Sequence, residues 1–284
     1  MIKLYDEYTH LTLDRRGFMD SLTRLTGSAA AAAAIVPLIA ANSAQAAIVA
    51  PDDARIVTEA VTFAGSTGQL TGYLARPAAA TGKLPAVLVI HENRGLNPHI
   101  QDVTRRFAVE GFLSLGVDFL SPLGGTPADE DMARDMISKI DRKAVVADGV
   151  ASLAFLRTHP AGNGKVGAVG FCFGGAISSQ LAVADATLNA AVVYYGSSPA
   201  PEQVPAIKAP LLLHYAGLDE RINADVPAYE AALKANGKAY TLHMYDNVNH
   251  AFNNDTAAAR YNKEAADLAF SRTIAFFKET LAAD

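Results

Sequence analysis

The chain has a single cysteine, Cys172, among 284 residues. Neither an intramolecular disulfide nor a Cys-x-x-Cys redox or zinc motif can form from it. There is no excess of positive charge. Twenty-four basic residues against 29 acidic ones leave a formal net charge of −5, which offers nothing to a nucleic-acid backbone. No internal repeat is present, and beyond an N-terminal alanine run no segment is compositionally biased. None of the seven histidines stands in H-x-x-x-H spacing, so no metal or other cofactor is expected. The apolar run from about Ala29 to Ala41 is too short and too rich in alanine for a transmembrane helix. Half of the residues are hydrophobic, which suits one large domain with a substantial core, expected as a monomer.

The first 46 residues read as a segment apart from that domain. Asp14-Arg15-Arg16-Gly17-Phe18-Met19 is a twin-arginine pattern, followed by the alanine-rich run and by Ala44-Gln45-Ala46, an A-x-A cleavage signature. That order marks a Tat-type export signal. The expected arrangement is therefore a signal over residues 1–46, read by the Tat export machinery, and a periplasmic domain over residues 47–284. A free thiol in an oxidising compartment is exposed to oxidation, so its retention there implies a use or deep burial.

Along the domain, strand patterns alternate with helix patterns. Arg55–Phe63 and Gln69–Arg76 form an expected antiparallel hairpin around Gly65-Ser66-Thr67-Gly68. Continuous apolar runs such as Pro85–Ile90, Ala190–Tyr195 and Pro210–Tyr215 mark strands buried on both faces of a parallel sheet. Helices are expected from Asn97-Pro98 to about Glu110, from about Ala128 to Arg157 with a break near Asp141, and from about Thr256 to Thr280. The fold class is α/β, a mostly parallel central sheet with helices on both faces and the hairpin at its edge.

Gly170-Phe171-Cys172-Phe173-Gly174-Gly175 reads G-x-C-x-G, the nucleophile-elbow pattern of α/β-hydrolases with cysteine in the serine position. A strand turning sharply into a helix lifts the central side chain out of the sheet. It also leaves that side chain at a helix N-terminus, which favours a thiolate. A thiol of ordinary pKa needs a base, and a histidine base needs a carboxylate to hold its tautomer. Cys172, Asp219 and His250 follow in the chain order nucleophile, acid, base, each after a successive strand. The other six histidines do not occupy the loop after the last strand, and His10 falls in the signal segment.

These residues resemble the dienelactone hydrolase (carboxymethylenebutenolidase) family of the α/β-hydrolase superfamily, from about Ile56 to Phe277. The resemblance rests on Glu92 in His91-Glu92-Asn93-Arg94-Gly95, the cysteine elbow, Gly217-Leu218-Asp219 and Asn249-His250-Ala251-Phe252. It implies a hydrolase of small activated esters or lactones acting through a thioester acyl-enzyme. It further implies a neutral resting thiol paired with Glu92, and an oxyanion hole from the backbone N–H groups of Phe173 and Asn93. Substrate carboxylates in the family are held by arginines, one of them four residues after the catalytic histidine. Asn254 stands there in this chain, leaving Arg134 and Arg94 as the candidate cations. That departure favours a broader carboxylesterase as the alternative. A non-catalytic thiol redox sensor or binding protein is the alternative of another class.

Overall fold

The computed structural model describes residues 1–10, 13–39 and 47–283. In chain order the elements are α1 (Ile2–Thr9), α2 (Arg15–Thr26), α3 (Ala29–Ile39), β1 (Ile56–Ala64), β2 (Gln69–Pro77), β3 (Leu84–Ile90), α4 (Pro98–Val109), β4 (Leu113–Asp118), α5 (Glu130–Lys139) and α6 (Arg142–Thr158). They continue with β5 (Gly162–Phe171), α7 (Phe173–Ala184), β6 (Ala190–Tyr194), β7 (Leu211–Ala216), α8 (Glu220–Asn223), α9 (Val226–Ala235), β8 (Tyr240–Tyr245) and α10 (Lys263–Thr280). The strands form one eight-stranded sheet in the order β1-β2-β4-β3-β5-β6-β7-β8. Pairing is antiparallel at β1/β2 and β2/β4 and parallel across the rest. The expected hairpin thus lies at one edge.

Alternation along the inner strands builds two cores. Ala86, Leu88 and Ile90 of β3 face one, with Val166 and Ala168 of β5 and Leu211, Leu213 and Tyr215 of β7. Val87 and Val89 face the other, with Val169, Phe171, Val192 and Tyr194. Side chains of successive strand residues point to opposite faces, so burial on both faces demands apolar residues at every position.

The break expected near Asp141 is present: the stretch 128–157 is two helices, because the Asp141 side chain accepts the Lys143 N–H and starts α6 afresh. One helix boundary differs from the sequence expectation. The last helix begins at Lys263 rather than near Thr256. Thr256 is tied back through its N–H and hydroxyl to Asn254 Oδ1, and Asn262 caps α10 by accepting from Ala265 N–H.

The N-terminal helices carry a small core of their own, in which Tyr8 stacks on Phe18 at 4.7 Å beside Tyr5 and Leu22. Arg15 and Arg16 open α2, whose N-cap Asp14 accepts from Gly17 N–H. The A-x-A signature at 44–46 lies outside the described residues. Among the described residues no helix is long and apolar enough to cross a membrane.

Candidate active site

The site lies beyond the C-terminal ends of the parallel strands, as open α/β sheets dictate. At the end of β5 the backbone turns so tightly that a Cβ on Gly170 would sit 1.8 Å from the Gly174 carbonyl oxygen. A Cβ on Gly174 would lie 2.3 Å from that of Ile90. Only glycine fits either position. Cys172, between them, adopts φ 55° and ψ −111°, a conformation that costs an ordinary side chain strain of order 1–3 kcal/mol. The turn is stabilised by the Cys172 N–H donating to Tyr194 O at 3.0 Å. It leaves the thiol half-buried at the N-terminus of α7.

Asp219 follows β7 and caps the short α8, one carboxylate oxygen accepting from Ile222 N–H. Its other oxygen lies 2.5 Å from Nδ1 of His250, which stands in the loop after β8. Both side chains are buried. Burial alone raises the Asp219 pKa, but the His250 hydrogen bond and charge outweigh it and the net shift is downward. Burial lowers the His250 pKa; the Cys172 thiolate and Asp219 outweigh this and push it up to about 10. The thiol shows the converse. Burial raises its pKa, but the positive charge of His250, then of His10, brings it down to about 6. At neutral pH this geometry favours a thiolate–imidazolium pair. Cys172, Asp219 and His250 are brought together as the sequence order requires.

Glu92 reaches the same region but departs from the expectation of a thiol–carboxylate pair. Asn254 Nδ2 donates to Glu92 Oε2 at 2.6 Å, and the Tyr195 hydroxyl donates to Oε1 at 3.4 Å. The hydrogen-bond partner of the thiol is instead His10, whose Nε2 is 3.4 Å from Sγ. Asn254 is therefore turned onto Glu92, where an amide can donate, rather than toward a substrate carboxylate. Phe173 is the first residue of α7, so its N–H has no intrahelical acceptor. It shares with Asn93, Cys172 and His250 the wall of a cavity of about 310 Å³.

Of the two candidate cations, Arg134 lines this cavity, but its guanidinium also packs over the Tyr8 ring at 4.3 Å and pairs with Asp131 and Asp135. Arg94 pairs with Glu130 and Asp131 beside Glu92. Sequence reasoning missed Arg142 and Arg221, which join Arg134 in a cavity lined by no acidic side chain. It also missed Tyr195, held at φ 40° just past β6. Spacing gives no sign of the arginines, since they come from three separate helices. Tyr195 was signalled only by its place at a strand end.

His10 is the largest departure. Rather than standing apart, α1 lies over the site. Asn93 Nδ2 donates to Thr9 O at 2.7 Å, the Tyr8 hydroxyl donates to Asp131, and Arg260 packs over Tyr5. The His10 and His250 rings meet edge to face at 4.6 Å.

A glycine-framed elbow carrying a cysteine at the sheet's C-terminal edge, with a buried Asp–His pair beside it, defines a hydrolase of the α/β-hydrolase fold. Residues 70–281 match the dienelactone hydrolase family, and the chain belongs to it. It is accordingly a carboxylic ester hydrolase in class. A protein of Escherichia coli O157:H7 named for carboxymethylenebutenolidase is 31% identical over 244 residues, spanning 81% of this chain and 89% of the relative. One from Saccharolobus solfataricus with the same name is 30% identical over 231 residues, 68% of this chain and 88% of its own. A crystal structure from Klebsiella pneumoniae named for dienelactone hydrolase superposes with a TM-score of 0.71 at 29% identity, covering 79% of this chain and 99% of that one.

Proposed function

We propose that Cys172 is the nucleophile of a hydrolase that cleaves small esters or lactones bearing a carboxylate, through a thioester acyl-enzyme. The observation that carries this reading is the buried Asp219–His250 pair beside the Cys172 thiol, with His250 and Cys172 both in the wall of the cavity that Arg134, Arg142 and Arg221 line. The Cys172 thiolate attacks the ester carbonyl carbon. Backbone N–H groups of Phe173 and Asn93 hold the developing oxyanion, each such donor being worth about 3 kcal/mol. As the tetrahedral intermediate collapses, the C–O bond breaks and the alkoxide takes the Nε2 proton of His250. Water then gives a proton to neutral His250 as it attacks the thioester, and the thiolate leaves with the acid released. Asp219 holds the imidazole with its Nδ1 proton inward throughout.

Arg142 and Arg221, with Arg134 beside its own Asp131 and Asp135 partners, supply positive charge for a carboxylate, and a guanidinium can hold one through two N–H groups where an asparagine cannot. Glu92, fixed by Asn254 and Tyr195, lines a pocket with Cys172 and adds negative charge beside the thiol. The broader carboxylesterase reading is favoured by Asn254 itself, which is committed to Glu92 and leaves the substrate end of the cavity less selective.

Mass spectrometry of the chain quenched in acid during turnover of an activated aryl ester tests this. The acyl group is expected on the peptide containing Cys172. Turnover without any adduct there, in a burst experiment that resolves the first cycle, overturns the thioester mechanism; a redox sensor would give no turnover.

The twin arginines and the A-x-A signature support the further proposal that residues 1–46 direct export by the Tat machinery, leaving a monomeric periplasmic domain over 47–284. Recovery of only full-length chain from the cytosol, with none in the periplasm, refutes it.

A further inference from the structure

His10 brings a second imidazole to a thiol already served by one, and with His10 neutral the donor–acceptor accounting at that point does not balance. His10 Nδ1 lies 2.8 Å from the backbone carbonyl of Asp6, which can only accept. A neutral His10 therefore carries its proton on Nδ1 and presents a bare lone pair at Nε2, 3.4 Å from Cys172 Sγ. His250 is arranged in the same way. Its Nδ1 is committed to Asp219, and its Nε2 is buried, in a side chain 4% exposed, with no hydrogen-bond partner. Two nitrogen lone pairs and one sulfur thus converge. While His10 is neutral, one thiol proton can satisfy only one of the two nitrogens. If that proton moves to His250, the lone pair of His10 faces a thiolate. Either way an acceptor faces an acceptor, at a part-buried position where an unmatched polar atom is destabilising.

A cation removes the conflict, because all three atoms then donate to it. The three ligand atoms lie within 4.8 Å of one another, with Cys172 and His10 already at 3.4 Å. Bond lengths of roughly 2.0–2.1 Å to nitrogen and 2.3 Å to sulfur correspond to ligand separations of about 3.3–3.7 Å. The widest gap therefore closes by about 1.5 Å at most. One sulfur and two imidazole nitrogens are the donors of a borderline-soft ion with no redox chemistry of its own, and not of calcium or magnesium, which take oxygen. The outer partners are also those of a zinc site. Each imidazole gives its remote N–H to a fixed acceptor, the Asp219 carboxylate or the Asp6 carbonyl, which sets the tautomer and turns the lone pair inward. All three residues line the cavity, which leaves room for a water as a fourth ligand.

We propose that His10, Cys172 and His250 form a binding site for a zinc-class divalent cation in the full-length chain, with the N-terminal segment docked, a site that removal of residues 1–46 would dismantle. Binding exchanges the proton shared by Cys172 and His250 for the metal: from the thiolate–imidazolium pair the Nε2–H bond of His250 breaks, one proton is released to solvent, an S–Zn bond and two N–Zn bonds form, and both imidazoles bind neutral. The cation ties α1 to the elbow through a ligand on each. Asn93, Arg134 and Arg260 supply the remaining hold on Thr9, Tyr8 and Tyr5. Under the hydrolytic reading above, a metal-bound thiolate is no free nucleophile, so the loaded chain is inactive and the sulfur is shielded from oxidants.

The test uses the full-length chain. Equilibrium dialysis with zinc chloride is expected to find one ion per chain, and cobalt(II) in its place to give a thiolate-to-cobalt charge-transfer band. His10→Ala and His10→Gln both weaken zinc binding about tenfold or more, a scale set by the loss of even outer partners, and Cys172→Ala abolishes the cobalt band. Zinc affinity unchanged in both His10 variants, or a cobalt spectrum with no thiolate band in the wild type, overturns the proposal. Inhibition of ester cleavage by zinc, reversed by a chelator, is the activity readout. If the metal-free chain cleaves no ester, the hydrolytic reading fails while the binding measurements still decide the metal site.

Discussion

Cys172→Ala lowers kcat on activated esters by a factor on the order of 10⁴ or more, measured on purified chain under saturating substrate, the scale of losses at other acyl-transfer nucleophiles. The expectation follows from what surrounds the thiol. His250 is pushed up to about 10 chiefly by the Cys172 thiolate, so removing the sulfur also removes the cause of the imidazolium. Under the proposed mechanism, what remains is the pair of backbone N–H donors with nothing to attack the carbonyl they would hold. Cys172→Ser fares little better, because a serine hydroxyl is far too weakly acidic to sustain the ion pair. The fold is not the cause of either loss, since the side chain is small and half-buried and the elbow is fixed by its glycines. A variant retaining activity within tenfold of wild type would mean that another group does the chemistry.

The same pair fixes the pH response of the wild type. The thiolate forms as pH rises through about 6, and the imidazolium that protonates the leaving group is lost as pH rises through about 10. The profile of kcat/KM is thus a broad bell with its rising limb on the acid side.

The triad was legible before any coordinates because each member sits where the strand pattern ends, and the α/β fold gathers strand ends at one edge. Strand composition carried the fold for a related reason: β3 and β6 are buried on both faces and apolar throughout, and β7 departs from this only at His214, whose ring nitrogens meet the Thr273 and Tyr245 hydroxyls. Glu92 was legible as a site residue but not in its bonding. Its partners Asn254 and Tyr195 lie 162 and 103 positions away, and nothing in either stretch marks them as a pair. The arginines illustrate the same limit, since Arg134, Arg142 and Arg221 converge only once α5, α6 and α8 are packed. His10 was set aside because its segment has the pattern of an export signal. That pattern says what recognises the segment in sequence. It is silent on where an amphipathic helix with Tyr5 and Tyr8 on its buried side comes to rest when arginines are there to stack on both rings.

Asp219→Asn is expected to lower kcat by about 10⁴-fold while leaving KM within a few-fold, the behaviour of a group that acts on its histidine and not on substrate. The carboxylate can only accept from His250 Nδ1, which forces the Nδ1–H tautomer and turns the basic Nε2 toward the thiol. An asparagine amide can donate through its NH₂ group, so a neutral ring is free to hold its proton on Nε2. A ring in that tautomer has no lone pair with which to take a proton from the thiol or from water. The substitution also removes a buried negative charge that helps to hold the imidazolium, so the His250 pKa falls and the alkaline limb of the pH profile moves to lower pH. Stability separates this from misfolding. Asparagine keeps an oxygen to accept the Ile222 N–H, so the cap of α8 survives and the thermal midpoint shifts little. A drop in activity matched by loss of the folded state would assign Asp219 to structure alone. A loss of less than tenfold with the fold intact would remove it from the proton-transfer chain.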